Sequence, residues 1–268
     1  MLIRPGGAES IFCVRTATQP RRPTPEGPHM TTCRPAEFAA TWTVASTIPG
    51  WLTEAQARLL FDTAHELSER PLIVEIGSHQ GKSTVVLASA ARAMGGRVVA
   101  VDPFVDGRLF GGASTRTKFE GNVAAADLDG VVELLPDYST RARTTWARDI
   151  DYLYIDGKHD YWTLSDDLKW ARHLPSGAPI LVHDCYSSIG VTLGVLVKVL
   201  PSRTIRYERR AGSLALFRVG RPTLQDRLRI LREVPWWLRN VAVKVLLRLR
   251  LRAVAARVFG HEGPYDPF

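Results

Sequence analysis

A glycine turn between an apolar strand and a helical segment constrains the possible fold of this chain more than any other feature. Residues 74–76 are an apolar stretch interrupted by Glu75, and Gly77 and Gly81 follow before a helical segment begins. Because glycine lacks a Cβ, the backbone can turn sharply there and approach a ligand closely. In open α/β sheets, ligands bind at such turns, beyond the carboxyl ends of the strands. The sequence therefore predicts an α/β fold with a binding site at residues 77–81.

The spacing of this turn argues against two common nucleotide-binding motifs. A phosphate-binding P-loop has four residues between its glycines, and a dinucleotide fingerprint has a glycine two positions after the first. Here three residues separate the glycines, and none of the three is glycine: Ser78, His79 and Gln80. A P-loop-like nucleotide enzyme remains an alternative, since residues 98–102 resemble the strand that ends in a metal-binding aspartate in such enzymes.

Two further strands are predicted to bring polar residues to the same edge of the sheet. The second predicted strand ends in Asp102, which lies 25 residues after Gly77 and could accept hydrogen bonds from ribose hydroxyls. The third predicted strand, residues 131–135, is followed by Tyr138 and Ser139. Because the carboxyl ends of parallel strands meet at one edge, we expect all of these side chains near the glycine turn.

The fourth and fifth predicted strands also end in chemically active residues. Asp156 ends the fourth strand and His159 follows it closely, while residues 179–182 lead directly into His183 and Asp184. Carboxylate oxygens are the ligands that Mg²⁺ prefers, and imidazole titrates near neutral pH, where it can act as a general base. The two strand ends together predict a catalytic or metal-binding rim.

The acidic glycine turn, Asp102, the I-D-G-x-H motif and the later H-D pair together resemble class I S-adenosylmethionine-dependent methyltransferases. The resemblance extends over roughly residues 51–220 and is closest to a branch that methylates hydroxyls of small molecules or sugars. It implies a Rossmann-like sheet, mostly parallel with a C-terminal antiparallel β-hairpin, and helices on both faces. It also implies S-adenosylmethionine as cofactor, bound by Glu75, Gly77, Ser78, Gly81, Ser83, Asp102, Tyr138, Ser139 and Asp156.

The resemblance places Asp156 and Asp184 at the positions of two metal-binding carboxylates and so implies Mg²⁺. In related catechol-type enzymes an asparagine follows the second aspartate, but here that position is Cys185, which is a poor ligand for Mg²⁺. Either a histidine or water completes the site, or no metal binds. The candidate catalytic residues are Asp156, His159 and His183, with the two histidines as candidate general bases.

The predicted function is O-methylation of a small-molecule or sugar hydroxyl by a cofactor-dependent enzyme. Two departures from the family pattern leave an alternative open: Tyr138 replaces the usual aspartate of the adenine turn, and Cys185 replaces the asparagine. A methyltransferase-fold protein with a noncatalytic or hydroxylase-like role would accommodate both departures. The P-loop-like nucleotide enzyme is the third possibility.

The composition along the chain predicts three parts. Residues 1–35 contain a proline-rich run and are predicted to be a disordered extension, residues 36–220 to form the methyltransferase domain, and residues 221–268 to form a basic, Leu/Arg/Trp-rich helical tail. Three scattered cysteines show no disulfide framework. No segment approaches the roughly 18 apolar residues of a membrane span. We therefore expect a cytoplasmic protein.

The net charge of the chain comes from its tail. Residues 221–260 hold ten basic and two acidic residues, a net +8 that equals the net charge of the whole chain. The rest of the chain is neutral overall, which argues against nucleic acid as a partner. The tail has two possible interpretations, an interfacial helix in peripheral contact with a membrane through residues 221–260, or a helix that docks on the body or on a second subunit of a homo-oligomer.

Overall fold

The computed structural model describes residues 30–106 and 111–261, with side chains from Arg34 onward. The predicted disordered extension, residues 1–35, lies largely outside this range. The last six residues of this predicted extension are instead helical, because they form the start of helix α1, Met30–Ala45. Phe38 and Ala45 of this helix are buried against the body of the protein, so tertiary packing supports a helix that the local composition did not reveal.

Seven strands of the described chain form one sheet in the order β3-β2-β1-β4-β5-β7-β6. Strands β1 to β5 are parallel, whereas β7 runs antiparallel to both β5 and β6. The predicted parallel sheet with a C-terminal antiparallel hairpin is therefore confirmed. The strands are β1 Leu72–Ile76, β2 Arg97–Val101, β3 Val132–Leu135, β4 Tyr152–Ile155, β5 Pro179–Val182, β6 Ile205–Ala211 and β7 Leu214–Val219.

Helices cover both faces of this sheet, as the sequence predicted. On one face, Ile73 and Tyr154 pack against α1 to α4, and on the other, Val74 and Ile155 pack against α5 to α8. After α1, the helices are α2 Glu54–Ala64, α3 Lys82–Ala93, α4 Ala113–Ala125, α5 Ser139–Thr145, α6 Tyr161–Asp167, α7 Ile189–Gly194, α8 Leu224–Arg232, α9 Val234–Arg248 and α10 Arg252–Phe259. A 3-10 turn, Leu168–His173, extends α6, and a π-helical turn, Val195–Val199, extends α7.

The strand order fixes where a ligand can bind. The chain builds outward from β1 through β2 to β3, and then returns to place β4 and β5 on the other side of β1. The crevice between the carboxyl ends of β1 and β4 is therefore the switch point of the sheet, where open α/β folds bind their ligands. Among the described helices, none is both long and apolar enough to cross a membrane.

Candidate active site

The glycine turn lies against the end of β4. Gly77 has a φ of 86°, and a Cβ built on it would lie 2.2 Å from the carbonyl oxygen of Asp156. Its N–H donates to the carbonyl of Val101 at 2.9 Å, so the turn also stays attached to β2. Only glycine fits this close approach, and the approach brings the ends of β1, β2 and β4 together.

Glu75 lies beneath this turn and fastens it to the following helix. Its side chain is completely buried, and its two carboxylate oxygens accept hydrogen bonds from the hydroxyls of Ser83 and Thr84 in the first turn of α3. Burial raises the pKa of Glu75 to about 7. Glu75 and Ser83, both predicted cofactor residues, therefore contact each other. Glu75 holds the turn and the helix in position.

Asp102 ends β2 and organises the turn through its carboxylate. Its Oδ2 accepts hydrogen bonds from the backbone N–H groups of Ser78 and His79 at 2.9 and 3.1 Å, and its Oδ1 accepts one from Phe104 at 2.9 Å. These contacts bring together Asp102 and Ser78 as the sequence predicted. A carboxylate has about four acceptor positions, so Asp102 retains capacity for ribose hydroxyls. His79 also belongs to the turn, with a φ of 48°, and the sequence analysis had not selected it.

The turn after β3 is tied to α6 by a residue that the sequence analysis missed. The hydroxyl of Ser139 donates to Oδ1 of Asp167 at 2.5 Å, whereas Tyr138 is half exposed at the start of α5. The other oxygen of Asp167 is buried with no hydrogen-bond partner in the described structure and faces Gly157. Burial raises the pKa of Asp167 to about 6. The sequence held one signal for a buried Asp167, because this carboxylate lies between Leu164 and Leu168 on a helix that packs on the body of the protein.

Two aspartates and two histidines form the predicted rim at the ends of β4 and β5. The ring of His159 lies between both carboxylates, with Nδ1 3.0 Å from Oδ2 of Asp184 and Nε2 3.5 Å from Oδ1 of Asp156. The buried ring of His183 places Nδ1 3.5 Å from Asp156 and 3.6 Å from Asp184. Tyr154 donates its hydroxyl to the remaining oxygen of Asp156 at 2.9 Å. All four predicted rim residues are therefore neighbours.

The charges of this rim are strongly coupled. Burial alone would lower the pKa of His159, but the hydrogen bonds and charges of Asp156 and Asp184 outweigh it and raise that pKa to about 10. The pKa of His183 is raised for the same reason, again against the effect of burial. Burial would raise the pKa of Asp184, but the two histidines hold it well below its usual range. The shifts of these three groups all favour imidazolium rings beside an ionised Asp184 carboxylate.

The rim residues fit a divalent cation. Ligand atoms of Asp156, His183 and Asp184 all lie within 4.8 Å of one another. His183 would act as a ligand after it loses the proton that the two carboxylates stabilise; its buried Nδ1 lies 3.5 Å from Asp156, and its buried Nε2 has no hydrogen-bond partner in the described structure. Cys185 is fully buried in the apolar core on one face of the sheet, so the residue that departs from the family pattern takes no part in the rim. Mg²⁺ commonly uses one or two carboxylates and several waters, which this donor set can supply.

Comparisons with known proteins agree with this architecture. The sequence profile of a family described as a methyltransferase domain matches residues 74–185, which run from β1 to the turn after β5. Among solved structures, cofactor-bound Rv0187 from MTB is 20% identical, with a TM-score of 0.54 over 69% of this chain and 90% of that chain. The O-methyltransferase TomG from Streptomyces achromogenes, in complex with SAM, is 17% identical, with a TM-score of 0.52 over 69% and 89%. The SAH-bound methyltransferase PaMTH1 from Podospora anserina is 13% identical, with a TM-score of 0.55 over 76% and 100%. At these identities the structural likeness shows the fold.

Proposed function

We propose that this protein, a class I S-adenosylmethionine-dependent methyltransferase, methylates a hydroxyl group of a small molecule or sugar. The observation that carries this proposal is the rim, in which His159 bridges Asp156 and Asp184 beside the glycine turn. The sheet topology and the family match support the class of reaction. The rim supports hydroxyl acceptors in particular, because paired carboxylates and imidazoles can hold, orient and deprotonate such a group. The neutral overall charge outside residues 221–260 disfavours a polyanionic acceptor.

The residues that would hold the cofactor surround the glycine turn. Gly77 and Gly81 have positive φ and no Cβ, so the cofactor can approach the backbone there. Asp102 can accept hydrogen bonds from ribose hydroxyls while it holds the turn. Ser139, which is tied to Asp167, provides the edge of the turn after β3. The cofactor supplies an electrophilic methyl group, and the protein supplies position and charge. A closely packed turn lowers the free-energy barrier to methyl transfer because it holds the reactants in a productive orientation.

The rim is the proposed location of the acceptor hydroxyl. His159 is half exposed, whereas His183 is almost completely buried, so His159 is the imidazole that an acceptor can reach. Because Asp156 and Asp184 raise its pKa to about 10, the neutral form of His159 that takes the proton of the hydroxyl would become more abundant as the pH rises, and the two carboxylates would stabilise the imidazolium that results. The same two carboxylates could hold Mg²⁺, which supplies positive charge beside the acceptor oxygen when it is bound. Aromatic residues next to this rim, Tyr161 and Trp162, provide apolar surface for a small acceptor.

The test separates cofactor binding from transfer. Calorimetric titration should show micromolar binding of S-adenosylmethionine, and Asp102→Asn should weaken it about tenfold, because the loss of one charged hydrogen-bonding partner costs roughly 1.5 kcal/mol. Methyl-labelled cofactor should then be incubated with a panel of catechols, phenols and sugars. With an acceptor in hand, Asp184→Asn should retain cofactor binding and lose transfer by at least about a hundredfold.

The matched control is Asp127→Asn, since Asp127 is a fully exposed aspartate in the turn after α4 that pairs with Arg92. It should transfer methyl groups like the wild type. Full activity of Asp184→Asn would remove the rim from the reaction. Tight cofactor binding without transfer to any hydroxyl of the panel would favour the noncatalytic alternative.

A further inference from the structure

The tail of the chain docks on the body through one helical face. Ile230 and Val243 are buried, and the side-chain amide of Asn240 donates to the carbonyl of Tyr186 at 3.1 Å. Glu233 accepts hydrogen bonds from Tyr207 at 2.9 Å and from Arg210 at 2.8 Å. These contacts orient α8 and α9 on the sheet, and they determine which face of the two helices remains exposed.

The exposed face is an uninterrupted apolar stripe. Helices α8 and α9 are nearly continuous, because the N–H of Trp237 donates to the carbonyl of Glu233 across their junction. Apolar residues recur along the outer side at alternating spacings of four and three, the spacing of one helical face. We call these residues the outer stripe: Leu224, Leu228, Leu231, Pro235, Leu238, Ala242, Val245 and Leu249.

Helix α10 adds to this surface. It folds back on α9, where the guanidinium of Arg239 donates to the carbonyl of Phe259. Leu251, Val254 and Val258 on α10 are exposed, again at helical spacing. Both helices thus expose apolar residues to solvent. Leu224 is 73% exposed and Leu249 is 62% exposed, values unusual for leucines without a covering partner.

The charges beside the outer stripe are of one sign. Exposed arginines surround it, namely Arg232, Arg248, Arg250, Arg252 and Arg257, and none of them forms an ion pair within residues 30–106 and 111–261. The two acidic residues among residues 221–261 are committed elsewhere. The Asp226 carboxylate accepts hydrogen bonds from the N–H and the hydroxyl of Thr223, the N-cap of α8, and Glu233 binds Arg210 of β6. The outer surface is therefore both apolar and cationic.

This combination distinguishes between the possible occupants. A second copy seated on the stripe would bring Arg232 and Arg248 against the same arginines, with no free carboxylate among residues 221–261 to neutralise them, and such like-charge contacts oppose association. A bilayer with anionic headgroups instead offers acyl chains to the leucines and phosphates to the arginines. We propose that the outer stripe of α8–α9, together with α10, binds the surface of an anionic lipid bilayer, with the helices parallel to the membrane plane.

Co-sedimentation of the full chain with vesicles tests the proposal. The protein should pellet with vesicles that contain phosphatidylglycerol and should remain in solution with pure phosphatidylcholine. Added salt should release it, because the charge attraction is screened. The double variant Leu231→Asp/Leu238→Asp should lose binding by at least about tenfold, since two leucines no longer enter the apolar layer. Arg248→Gln/Arg250→Gln should also weaken binding to the anionic vesicles, by about tenfold.

The matched control is Val44→Asp/Val197→Asp, which replaces two comparably exposed valines outside the tail. It should bind vesicles like the wild type, and all variants should keep the wild-type melting temperature within a few degrees. Wild-type binding by Leu231→Asp/Leu238→Asp, or equal binding to neutral and anionic vesicles, would overturn the proposal. A concentration-dependent dimer that the same leucine substitutions abolish, with no vesicle binding, would assign the stripe to a second copy instead.

Discussion

Gly77 shows how directly a single residue determines this site. A methyl group at this position would meet the carbonyl oxygen of Asp156 at 2.2 Å, and φ is 86°. Gly77→Ala should therefore separate β1 from β4, lower the free energy of unfolding by more than about 2 kcal/mol and abolish cofactor binding. Urea unfolding and calorimetry would measure the two effects.

Gly121 offers a control for that substitution. It lies within α4, and a Cβ at this position meets no atom within 4 Å. Gly121→Ala should raise the free energy of unfolding by about 1 kcal/mol through helix propensity and leave cofactor binding unchanged. If Gly77→Ala matched Gly121→Ala in both measurements, the close approach to Asp156 would not govern the site.

The buried carboxylate of Glu75 makes a prediction about pH. Its pKa is raised from 4.5 to about 7, so the folded protein binds this proton more tightly than the unfolded chain does. The favourable contribution is complete below pH 4.5 and is lost as the pH rises through 7. Glu75→Gln should therefore be more stable than the wild type at pH 8, by up to about 3 kcal/mol, with a difference that disappears in acid. Urea unfolding of both proteins across this pH range measures it, and a difference independent of pH would contradict the assignment.

The candidate-site residues that could be predicted from the sequence share one property: each lies where a strand ends. Asp102, Asp156 and Asp184 follow apolar strands, and the parallel sheet brings them to one edge. Asp167 escaped prediction because its partner is distant in sequence, whereas Tyr154 was missed although the two-residue period of a strand puts it on the same face as Asp156. Asp167 meets Ser139 only after α6 packs on the turn after β3.

At the scale of elements, the strands and the hairpin follow from local pattern, but some helix ends do not. The start of α1 at Met30 closely follows a proline-rich run that predicts no helix, and the helix after β5 changes to a π-helical turn at Val195. Helix α3 bears on the P-loop alternative. Its Lys82 donates to the carbonyl of Gly50 at 3.3 Å and lies 5.3 Å over the ring of Trp42, whereas a P-loop lysine faces the phosphates.

Helix α6 carries a testable cap next to the rim. Asp160 accepts a hydrogen bond from the N–H of Thr163 at 2.9 Å, and this contact begins the helix directly after His159. Asp160→Ala should lower the free energy of unfolding by about 1 kcal/mol, because an N-cap is lost, whereas Asp160→Asn should retain most of the stability. Urea unfolding of the pair measures this. Equal losses in both variants would show that the charge of Asp160, and not its capping oxygen, is what matters.

At the scale of the whole molecule, the sequence located the positive charge correctly but did not orient it. The arginines of the tail show no single clean face in the sequence. The structure shows that the leucines define the outer face, because the inner face is fixed by Ile230, Asn240 and Val243 on the body. That docking could not be derived from the pattern of the tail alone, since both faces of α8 and α9 are rich in apolar residues.

The same docking couples the tail to the rim, and Asn240 is the residue that tests the coupling. Its amide donates to the carbonyl of Tyr186, two residues after Asp184, in a turn where both Asp184 and Tyr186 have positive φ. Asn240→Ala leaves this carbonyl buried without its partner, which should cost about 1–3 kcal/mol of unfolding free energy. Because the turn carries Asp184, methyl transfer should fall more than cofactor binding does.

Leu238→Ala, on the exposed side of the same helix, should change neither stability nor transfer. Urea unfolding, calorimetry and labelled-methyl transfer on all three proteins separate the effects. A loss of stability in Asn240→Ala with undiminished transfer would mean that the strand-5 turn keeps its shape without the tail. In that case α9 would stabilise the fold without positioning Asp184, and the tail would contribute to the protein only through the surface that it exposes.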